Sequence, residues 1–237
     1  MLDVVDLHAS YGKSAVLHGM TLHVPRGKLV AVLGRNGVGK TTLVRSIAGL
    51  TEPRQGQVIF DGKDVTGQPP HQIARLGMAV MAQGRRVFPS LTVRENLDIG
   101  RRAADRGRDG GGIRWSLEDV FAELPVLRER LSIKAERLSG GEQQMLAFAR
   151  ILLRGPRLVL MDEPSEGLSP LRVRELHRIV ARLRDTGMTF LLVEQNLPFA
   201  LDLADHVYLM AKGAVVHESD PESLRADEGV LQRFLSV

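Results

Sequence analysis

Residues 34–41 read Gly34-Arg35-Asn36-Gly37-Val38-Gly39-Lys40-Thr41, which is the spacing of a phosphate-binding loop. The residues before them, Leu29 to Leu33, form a short apolar run that is typical of a buried strand. The residues after them, Thr41 to Leu50, have a helical pattern that stops at Gly49. The glycines therefore lie at a turn between a strand and a helix, which is the context that this pattern requires.

The predicted loop has the chemistry to bind a nucleoside triphosphate. Glycines allow the backbone to fold tightly and turn several N–H groups inward, which makes an anion-binding concavity at the start of a helix. Lys40 supplies a positive charge for the β- and γ-phosphates, and the Thr41 hydroxyl can bind Mg²⁺. The residues predicted to contact the nucleotide here are Gly34, Arg35, Asn36, Gly37, Val38, Gly39, Lys40, Thr41 and Thr42.

Composition limits the class of protein. The chain has 237 residues, 43% hydrophobic and 25% charged, as in an ordinary globular protein with a buried core. No apolar run in it approaches the roughly 18 residues that a membrane-spanning helix needs. The acidic start from Met1 to Asp6 indicates a strand, so no secretory signal is expected. The absence of cysteine excludes disulfides, thiol catalysis and cysteine-ligated metal.

The net charge of +4 arises from 32 basic and 28 acidic residues. An excess this small suits nucleic acid, an anionic membrane surface or neither. Its densest part is Arg101, Arg102, Arg106 and Arg108, beside Gly110 to Gly112. This stretch predicts a solvated, mobile loop, with contact to lipid headgroups as the alternative.

The order of elements indicates an α/β protein. Short strands are predicted over residues 1–30, and Val58 to Phe60 followed by Asp61-Gly62 predicts a hairpin with a two-residue turn. A mostly helical section follows, and beyond it strands and helices alternate, which favours a parallel sheet with helices against it. We expect a nucleotide-binding core with a β subdomain over residues 1–87 and 155–237, and an inserted helical subdomain over residues 88–154.

A second apolar run, Leu158 to Met161, is followed by two adjacent carboxylates, Asp162 and Glu163. In a parallel sheet, ligands gather at the carboxyl ends of the strands, where these acids are expected. Asp162 can hold Mg²⁺ directly or through a water, because this ion prefers hard oxygen ligands. Glu163 can orient or deprotonate the attacking water, so together with the loop the pair favours hydrolysis over binding alone.

A third motif is Leu138-Ser139-Gly140-Gly141-Glu142-Gln143-Gln144. Ser139 and Glu142 have the spacing of a reciprocal N-terminal helix cap, as do Thr92 and Glu95. Two glycines in the first turn of a helix are unfavourable, at about 1 kcal/mol each relative to alanine. Close approach of their N–H groups to an anion would explain them.

This third motif resembles the signature of the ATP-binding cassette (ABC) family, and the resemblance covers essentially the whole chain. Tyr11 matches the aromatic residue that stacks on adenine in that family. Gln83 matches the glutamine that joins the core to the helical subdomain and reaches the Mg²⁺ site. The resemblance implies an α/β P-loop NTPase cassette that binds ATP and Mg²⁺, with a RecA-like core, an antiparallel β subdomain and an inserted α-helical subdomain.

The resemblance also implies a composite site. Two cassettes of this family face each other head to tail, and each ATP lies between the phosphate loop of one subunit and the signature of the other. Ser139, Gly140, Gly141 and Glu142 would then contact ATP held by a second ATP-binding subunit, which is either a copy of this chain or a different cassette. A single chain is expected to hydrolyse ATP poorly, because half of each site is missing.

Two positions depart from the family pattern. Gln195 replaces the usual switch histidine, and an amide can donate a hydrogen bond to a γ-phosphate oxygen but cannot carry a proton near neutral pH. We expect Gln195 to act in the catalytic site and hydrolysis to survive the replacement. Ser165-Glu166-Gly167-Leu168 lacks the aspartate that is common in this loop, which puts one contact across the dimer in doubt.

Three stretches resemble one branch of the family, the second ATP-binding subunit of high-affinity branched-chain amino-acid importers. They are Gly84 to Leu97, Pro164 to Leu168 and Val193 to Asn196. Importers of urea and short-chain amides have similar sequences in these three stretches and remain alternatives. The branch implies permease subunits as partners, an external solute-binding protein, and a place on the cytoplasmic face of the inner membrane. Phe88 and Leu91 could line the groove for a permease helix or pack the helical subdomain.

The alternative class is a soluble cassette ATPase of DNA repair or the ribosome. Such proteins usually carry long inserted coiled coils or two tandem cassettes, whereas this chain has one copy of each motif and a short gap between Gln83 and Ser139. No nucleic-acid partner is therefore expected. Glu163 argues against a third option, a module that binds ATP without hydrolysing it.

Overall fold

The strands of the chain form two sheets. The structure is a computed structural model that describes residues 1–84, 87–106, 113 and 115–235. The strands are β1 Leu2–Tyr11, β2 Ser14–Val24, β3 Leu29–Leu33, β4 Gln55–Phe60, β5 Lys63–Asp64, β6 Met78–Met81, β7 Leu158–Asp162, β8 Thr189–Glu194, β9 His206–Ala211 and β10 Ala214–Ser219. The helices are α1 Lys40–Ile47, α2 Pro70–Arg75, α3 Val93–Arg106, α4 Leu117–Glu123, α5 Pro125–Glu129, α6 Gly140–Leu152, α7 Pro170–Asp185, α8 Leu197–Leu203, α9 Pro221–Ala226 and α10 Glu228–Leu235. Within the described residues, no helix is long and apolar enough to cross a bilayer.

The larger sheet has six strands in the order β10-β9-β3-β8-β7-β6, and neighbouring strands are parallel except for β9 and β10. The register aligns the carboxyl ends of three central strands. Leu33 at the end of β3 pairs with Glu194 of β8, and Asp162 at the end of β7 pairs with Val193. The predicted α/β class with a parallel sheet is confirmed, and the loops that follow β3, β7 and β8 leave the sheet at one edge.

The smaller sheet is antiparallel, in the order β2-β1-β4-β5. Its β4–β5 hairpin is the one that the sequence predicts. Asp61 and Gly62 between the strands both have positive φ, 52° and 77°, as a type I′ turn requires. Tyr11 lies at the end of β1 in this sheet, and its side chain interacts with Thr42 and Arg45 of α1.

Buried apolar side chains pack on both faces of the larger sheet. They hold β3, the strand before the phosphate loop, in place. Leu29, Ala31 and Leu33 of β3 belong to a buried cluster with α6, α7 and α8. Val30 and Val32, which point to the other face, belong to a second cluster with the smaller sheet and α1. A strand that is buried on both faces reads as a continuous apolar run, as observed here.

Helices α3 to α6 lie between β6 and β7 along the chain. Both predicted reciprocal caps are present: Thr92 with Glu95 at the start of α3, and Ser139 with Glu142 at the start of α6. Each pair satisfies two N–H groups that a helix start would otherwise leave without a partner.

The sequence predicts a solvated, mobile loop around Arg101, Arg102, Arg106 and Arg108, and this prediction is wrong for the first part of the stretch. Helix α3 continues to Arg106, so Arg101 and Arg102 are helical, and Arg101 forms an ion pair with Asp98 one turn earlier at 3.2 Å. Arg101 and Arg102 are exposed on this helix, so the lack of apolar periodicity there does not indicate a loop. Arg108 and the glycines after it lie outside the described residues.

Candidate functional site

The phosphate loop joins β3 to α1, and its glycines are required by the backbone. Gly39 has φ 110°, a conformation that side chains other than hydrogen rarely allow. A Cβ atom on Gly34 would lie 2.5 Å from the carbonyl oxygen of Met210 on β9. The loop can therefore pass close to the neighbouring strand only with glycine at this position.

Lys40 is almost enclosed at the first turn of α1, with 4% of its surface exposed. Its Nζ donates to the carbonyl oxygens of Gly34 at 2.6 Å and Arg35 at 3.0 Å. It also forms an ion pair with Glu163 Oε1 at 3.0 Å. A buried ammonium needs such partners, and phosphate oxygens carry the same negative charge as the carboxylate now beside it.

Thr41 and Asp162 bring two oxygens together below the loop. The Thr41 hydroxyl donates to Asp162 Oδ1 at 3.1 Å, and Asp162 is buried. Burial raises the pKa of Asp162 to about 6, and the hydrogen bond from Thr41 opposes this shift while the charge of Glu163 adds to it. A hydroxyl and a carboxylate in contact are the donor set that a magnesium ion takes beside substrate phosphates.

Glu163 follows β7 directly and has an unusual backbone conformation, with φ 48°. Its N–H donates to the carbonyl oxygen of Val193 on β8 at 2.9 Å, which holds the turn in place. Positive φ is uncommon outside glycine and is found where the surrounding structure over-determines it, often at active sites. The turn directs the carboxylate back toward Lys40 rather than along the strand.

Gln83, two residues after β6, reaches the same carboxylate. Its Nε2 donates to Glu163 Oε2 at 3.3 Å and to Glu166 Oε2 at 2.5 Å. The loop after β6 is thereby joined to the loop after β7. Glu166 is a site residue that the sequence analysis noted only as part of a departure; its distance of three residues from Glu163 is the one signal that could have identified it.

These side chains line a cavity of about 300 Å³. Its lining residues are Val16, Asn36, Gly37, Gly39, Lys40, Thr41, Thr42, Gln83, Glu163 and Glu166. Six of the nine residues predicted from the phosphate-binding loop, together with Gln83, thus line this cavity, whereas Gly34, Arg35 and Val38 do not, and Asp162 contacts it through Thr41. Val16 of β2 comes from a distant part of the chain, and no motif in its surroundings points to it.

Tyr11 lies at the rim, about half exposed. A hydrogen bond with the Thr51 side chain lowers the pKa of Tyr11, and smaller effects of Thr42 and Arg45 act in the same direction. Since Thr42 and Arg45 are on α1, the ring lies beside the first turns of that helix.

Gln195 is exposed at the end of β8. Its N–H donates to the carboxylate of the preceding Glu194 at 2.9 Å. The carbonyl oxygen of Glu194 in turn accepts the N–H of Gly34 at 3.3 Å. Gln195 is therefore adjacent to the start of the phosphate loop.

The residues of the third motif form the start of α6. Ser139 is exposed at the start of α6, and its N–H donates to Glu142 Oε2 at 2.8 Å. Burial opposes the shift, but hydrogen bonds from Ser139 lower the pKa of Glu142 overall, and Arg130 binds its other oxygen at 3.0 Å. Glu142 thus serves the helix start. Ser139, Gly140 and Gly141 are not among the residues that line the cavity around Lys40.

Comparison with known proteins agrees with this arrangement. Residues 17–166 match the family described as ABC transporter. The chain is 37% identical over 235 residues to the high-affinity branched-chain amino acid transport ATP-binding protein BraG of Pseudomonas aeruginosa, covering 99% of each chain. It is 38% identical to the probable branched-chain amino acid transport ATP-binding protein LivF of Archaeoglobus fulgidus, covering 96% of this chain and 95% of that one.

Other similar proteins have other transport roles or known structures. The lipopolysaccharide export system ATP-binding protein LptB of Haemophilus influenzae is 30% identical over 99% of this chain and 97% of its own. A crystal structure of a nucleotide-free ATP-binding cassette from an ABC transporter superposes with a TM-score of 0.84 at 26% identity, covering 100% of this chain and 98% of the other.

The chain belongs to the ABC transporter family. It has the α/β P-loop fold of an ABC cassette, binds ATP as the ATP-binding subunit of a transporter, and is an ATPase.

Proposed function

We propose that this chain is the ATP-hydrolysing subunit of an importer of branched-chain amino acids. The support is its similarity, over nearly the full length, to two proteins named for that transport. LptB, named for lipopolysaccharide export, is less similar but covers the chain equally well, so the cassette alone carries little information about the solute. The residues around the cavity contact ATP rather than the transported molecule.

In the proposed site, the phosphates of ATP take the place of Glu163 beside Lys40. The N–H groups of the loop and the Nζ of Lys40 bind the β- and γ-phosphates, while Tyr11 stacks on the adenine at the rim. Arg35, Asn36, Val38 and Thr42 contribute through the loop backbone and the first turn of α1. The observation that supports this assignment is the 3.0 Å ion pair of Lys40 with Glu163, in which the lysine binds a negatively charged group inside the cavity.

The donor set fits Mg²⁺. Thr41 Oγ1 and Asp162 Oδ1 are 3.1 Å apart, so both can contact one ion, and Gln83 can reach the same place from the loop after β6. When bound there, Mg²⁺ neutralises charge that develops on the phosphates. Ionised Asp162 is favoured next to a cation, against the burial that raises its pKa.

Glu163 acts on the attacking water once ATP has displaced it from Lys40. Its carboxylate accepts a proton or orients the water for in-line attack on the γ-phosphate. Gln83 already donates to Glu163 at 3.3 Å and can hold it in the new position. Gln195 donates an amide hydrogen bond to a γ-phosphate oxygen and takes no proton.

The second half of each site comes from another cassette. Ser139, Gly140 and Gly141 are not among the residues that line the cavity around Lys40, which is compatible with binding of ATP held by a partner. The partner is a second copy of this chain or a different cassette. Residues 88–154 form the helical subdomain in this assignment, and residues 1–87 and 155–237 form the core.

Permease subunits complete the proposed complex and hold the chain at the cytoplasmic face of the membrane, with an external binding protein delivering the solute. Phe88 is 45% exposed, and the guanidinium of Arg150 lies over its ring, 4.5 Å from the centroid. This exposed aromatic near the start of α3 is a suitable contact for a permease helix.

Uptake tests the assignment. Cells that lack the chain are complemented with the wild type or with Glu163→Gln and given labelled leucine, isoleucine, valine, urea and acetamide. We expect only the wild type to restore uptake of the three branched-chain amino acids. Restoration of urea or acetamide uptake alone would assign the chain to an importer of urea or short-chain amides. ATPase activity that nucleic acid stimulates, in cells with no uptake defect, would assign it to the soluble cassette ATPases.

A further inference from the structure

Glu194, the last residue of β8, has a buried carboxylate that is 2% exposed. Oε1 accepts the N–H of Ser165 at 2.9 Å. Oε2 accepts the N–H groups of Gln195 at 2.9 Å and Asn196 at 3.0 Å. Three neutral amides thus bind one carboxylate, which makes burial of its charge tolerable.

These contacts join loops that are far apart in the sequence. Ser165 lies two residues after Glu163, in the loop that lacks the usual aspartate, whereas Gln195 begins the loop after β8. A weaker contact, from Asn196 Nδ2 to Ser165 Oγ at 3.4 Å, connects the same two loops. The backbone oxygen of Glu194 also accepts the N–H of Gly34, so the phosphate loop is joined to the same residue.

We infer that Glu194 is a positioning residue that couples Gln195 to the loop from Ser165 to Leu168. When Gln195 binds the γ-phosphate, its backbone and the Glu194 carboxylate are fixed, and the N–H of Ser165 is fixed with them. The loop is thereby set in the conformation that meets the second cassette. This inference rests on the proposed roles of Gln195 and of the cassette dimer.

The chemistry of the carboxylate is essential to this coupling. An ionised carboxylate only accepts hydrogen bonds, and both of its oxygens are in use. A glutamine at this position has the same shape, but its NH₂ group would face an N–H donor on one of the two loops. The connection between Ser165 and Gln195 must then break on one side, while the strand and the phosphate loop keep their packing.

The test compares Glu194→Gln with a matched control in the full-length chain. We expect kcat for ATP hydrolysis to fall about tenfold or more, since losing one charge-assisted hydrogen bond costs enough free energy for such a change. The affinity for ADP, which has no γ-phosphate, should stay within about twofold. Glu123→Gln removes another buried carboxylate, 8% exposed and paired with Arg178 and Arg182, and should lower the thermal midpoint without this loss of kcat.

Glu194→Asp provides a second variant if the glutamine form is unstable. It keeps the charge, but its shorter side chain moves the carboxylate away from the N–H of Ser165. We therefore again expect kcat to fall while the affinity for ADP stays unchanged. Equal losses of kcat and ADP affinity in a folded variant, or an unchanged kcat, would overturn the inference. The proposed function fails in a different way, through uptake of the branched-chain amino acids that the wild-type chain does not restore or that Glu163→Gln does restore.

Discussion

At the scale of single residues, the contact between Lys40 and Glu163 has a direct consequence. The same carboxylate is proposed to activate water, yet it is now bound to the lysine that is proposed to hold the γ-phosphate. In the proposed mechanism, ATP separates the two side chains, so that binding of the nucleotide releases the base.

Replacing Glu163 by glutamine should abolish hydrolysis and preserve binding. We expect the rate of phosphate release from Glu163→Gln to fall by at least about 100-fold, because the amide cannot accept a proton. ATP affinity should be equal or higher, since the competing negative charge beside Lys40 is removed. Exposed Glu129→Gln serves as the control, and a Glu163→Gln chain that keeps more than a tenth of the activity would exclude the assigned role.

Replacing Gln195 by histidine should change hydrolysis little. We expect the rate for Gln195→His to stay within about threefold of wild type between pH 6 and 8, because both side chains donate a hydrogen bond to phosphate. The rate is measured as a pH profile of kcat. A tenfold gain for the histidine variant would show that the native glutamine compromises the site.

At the scale of elements, the two reciprocal caps allow stability to be separated from function. Ser139→Ala and Thr92→Ala each remove a capping hydroxyl, which should lower the free energy of unfolding by about 1 kcal/mol in urea. Only Ser139→Ala should also lower the ATPase rate, because Ser139 is proposed to contact the nucleotide of the partner and Thr92 is not. Similar ATPase losses in both variants would reduce the signature to a structural helix start.

The motif-bearing elements could be predicted from sequence because their signals are local. The apolar run of β3, the glycine spacing and the Asp61-Gly62 turn each lie within a few residues of what they determine. Glu166 and Glu194 have no such signal. Each acts on residues about 30 to 80 positions away, and only the parallel register of β3, β7 and β8 brings the partners together. The end of α3 was missed for another reason, since an exposed, charged helical face has no apolar periodicity.

At the scale of the whole molecule, Phe88 tests coupling between the cassette and a permease. We expect Phe88→Asp to reduce uptake at least about tenfold while ATP affinity stays unchanged, because Phe88 is exposed outside the cavity and the charge would disrupt the proposed apolar contact with a permease helix. Uptake in cells and ATP binding by the purified chain are compared. The exposed Leu171→Asp is the control for a surface charge, and unchanged uptake with Phe88→Asp would remove the coupling role.

The residues proposed to form one ATP site lie in two separate places on the chain, which are the two halves of that site. Lys40 and Glu163 line one cavity, and Ser139 lies outside it on α6. In the proposed head-to-tail dimer, the two halves meet twice, with the same surfaces used on both sides if the partner is a second copy of this chain. We therefore expect catalysis to depend on association, with closure on ATP followed by release as a two-state cycle.

Mixing two inactive variants tests this claim most directly. Lys40→Met removes the phosphate contact of one half, and Ser139→Asp keeps a good helix cap but places a negative charge opposite the phosphates. Each variant alone should be nearly inactive, whereas an equal mixture should recover up to about a quarter of the wild-type rate, because half of the dimers then contain one intact site. A mixture as inactive as its components would contradict a site shared between two copies of this chain, and full activity of Ser139→Asp alone would contradict any role of Ser139 in that site.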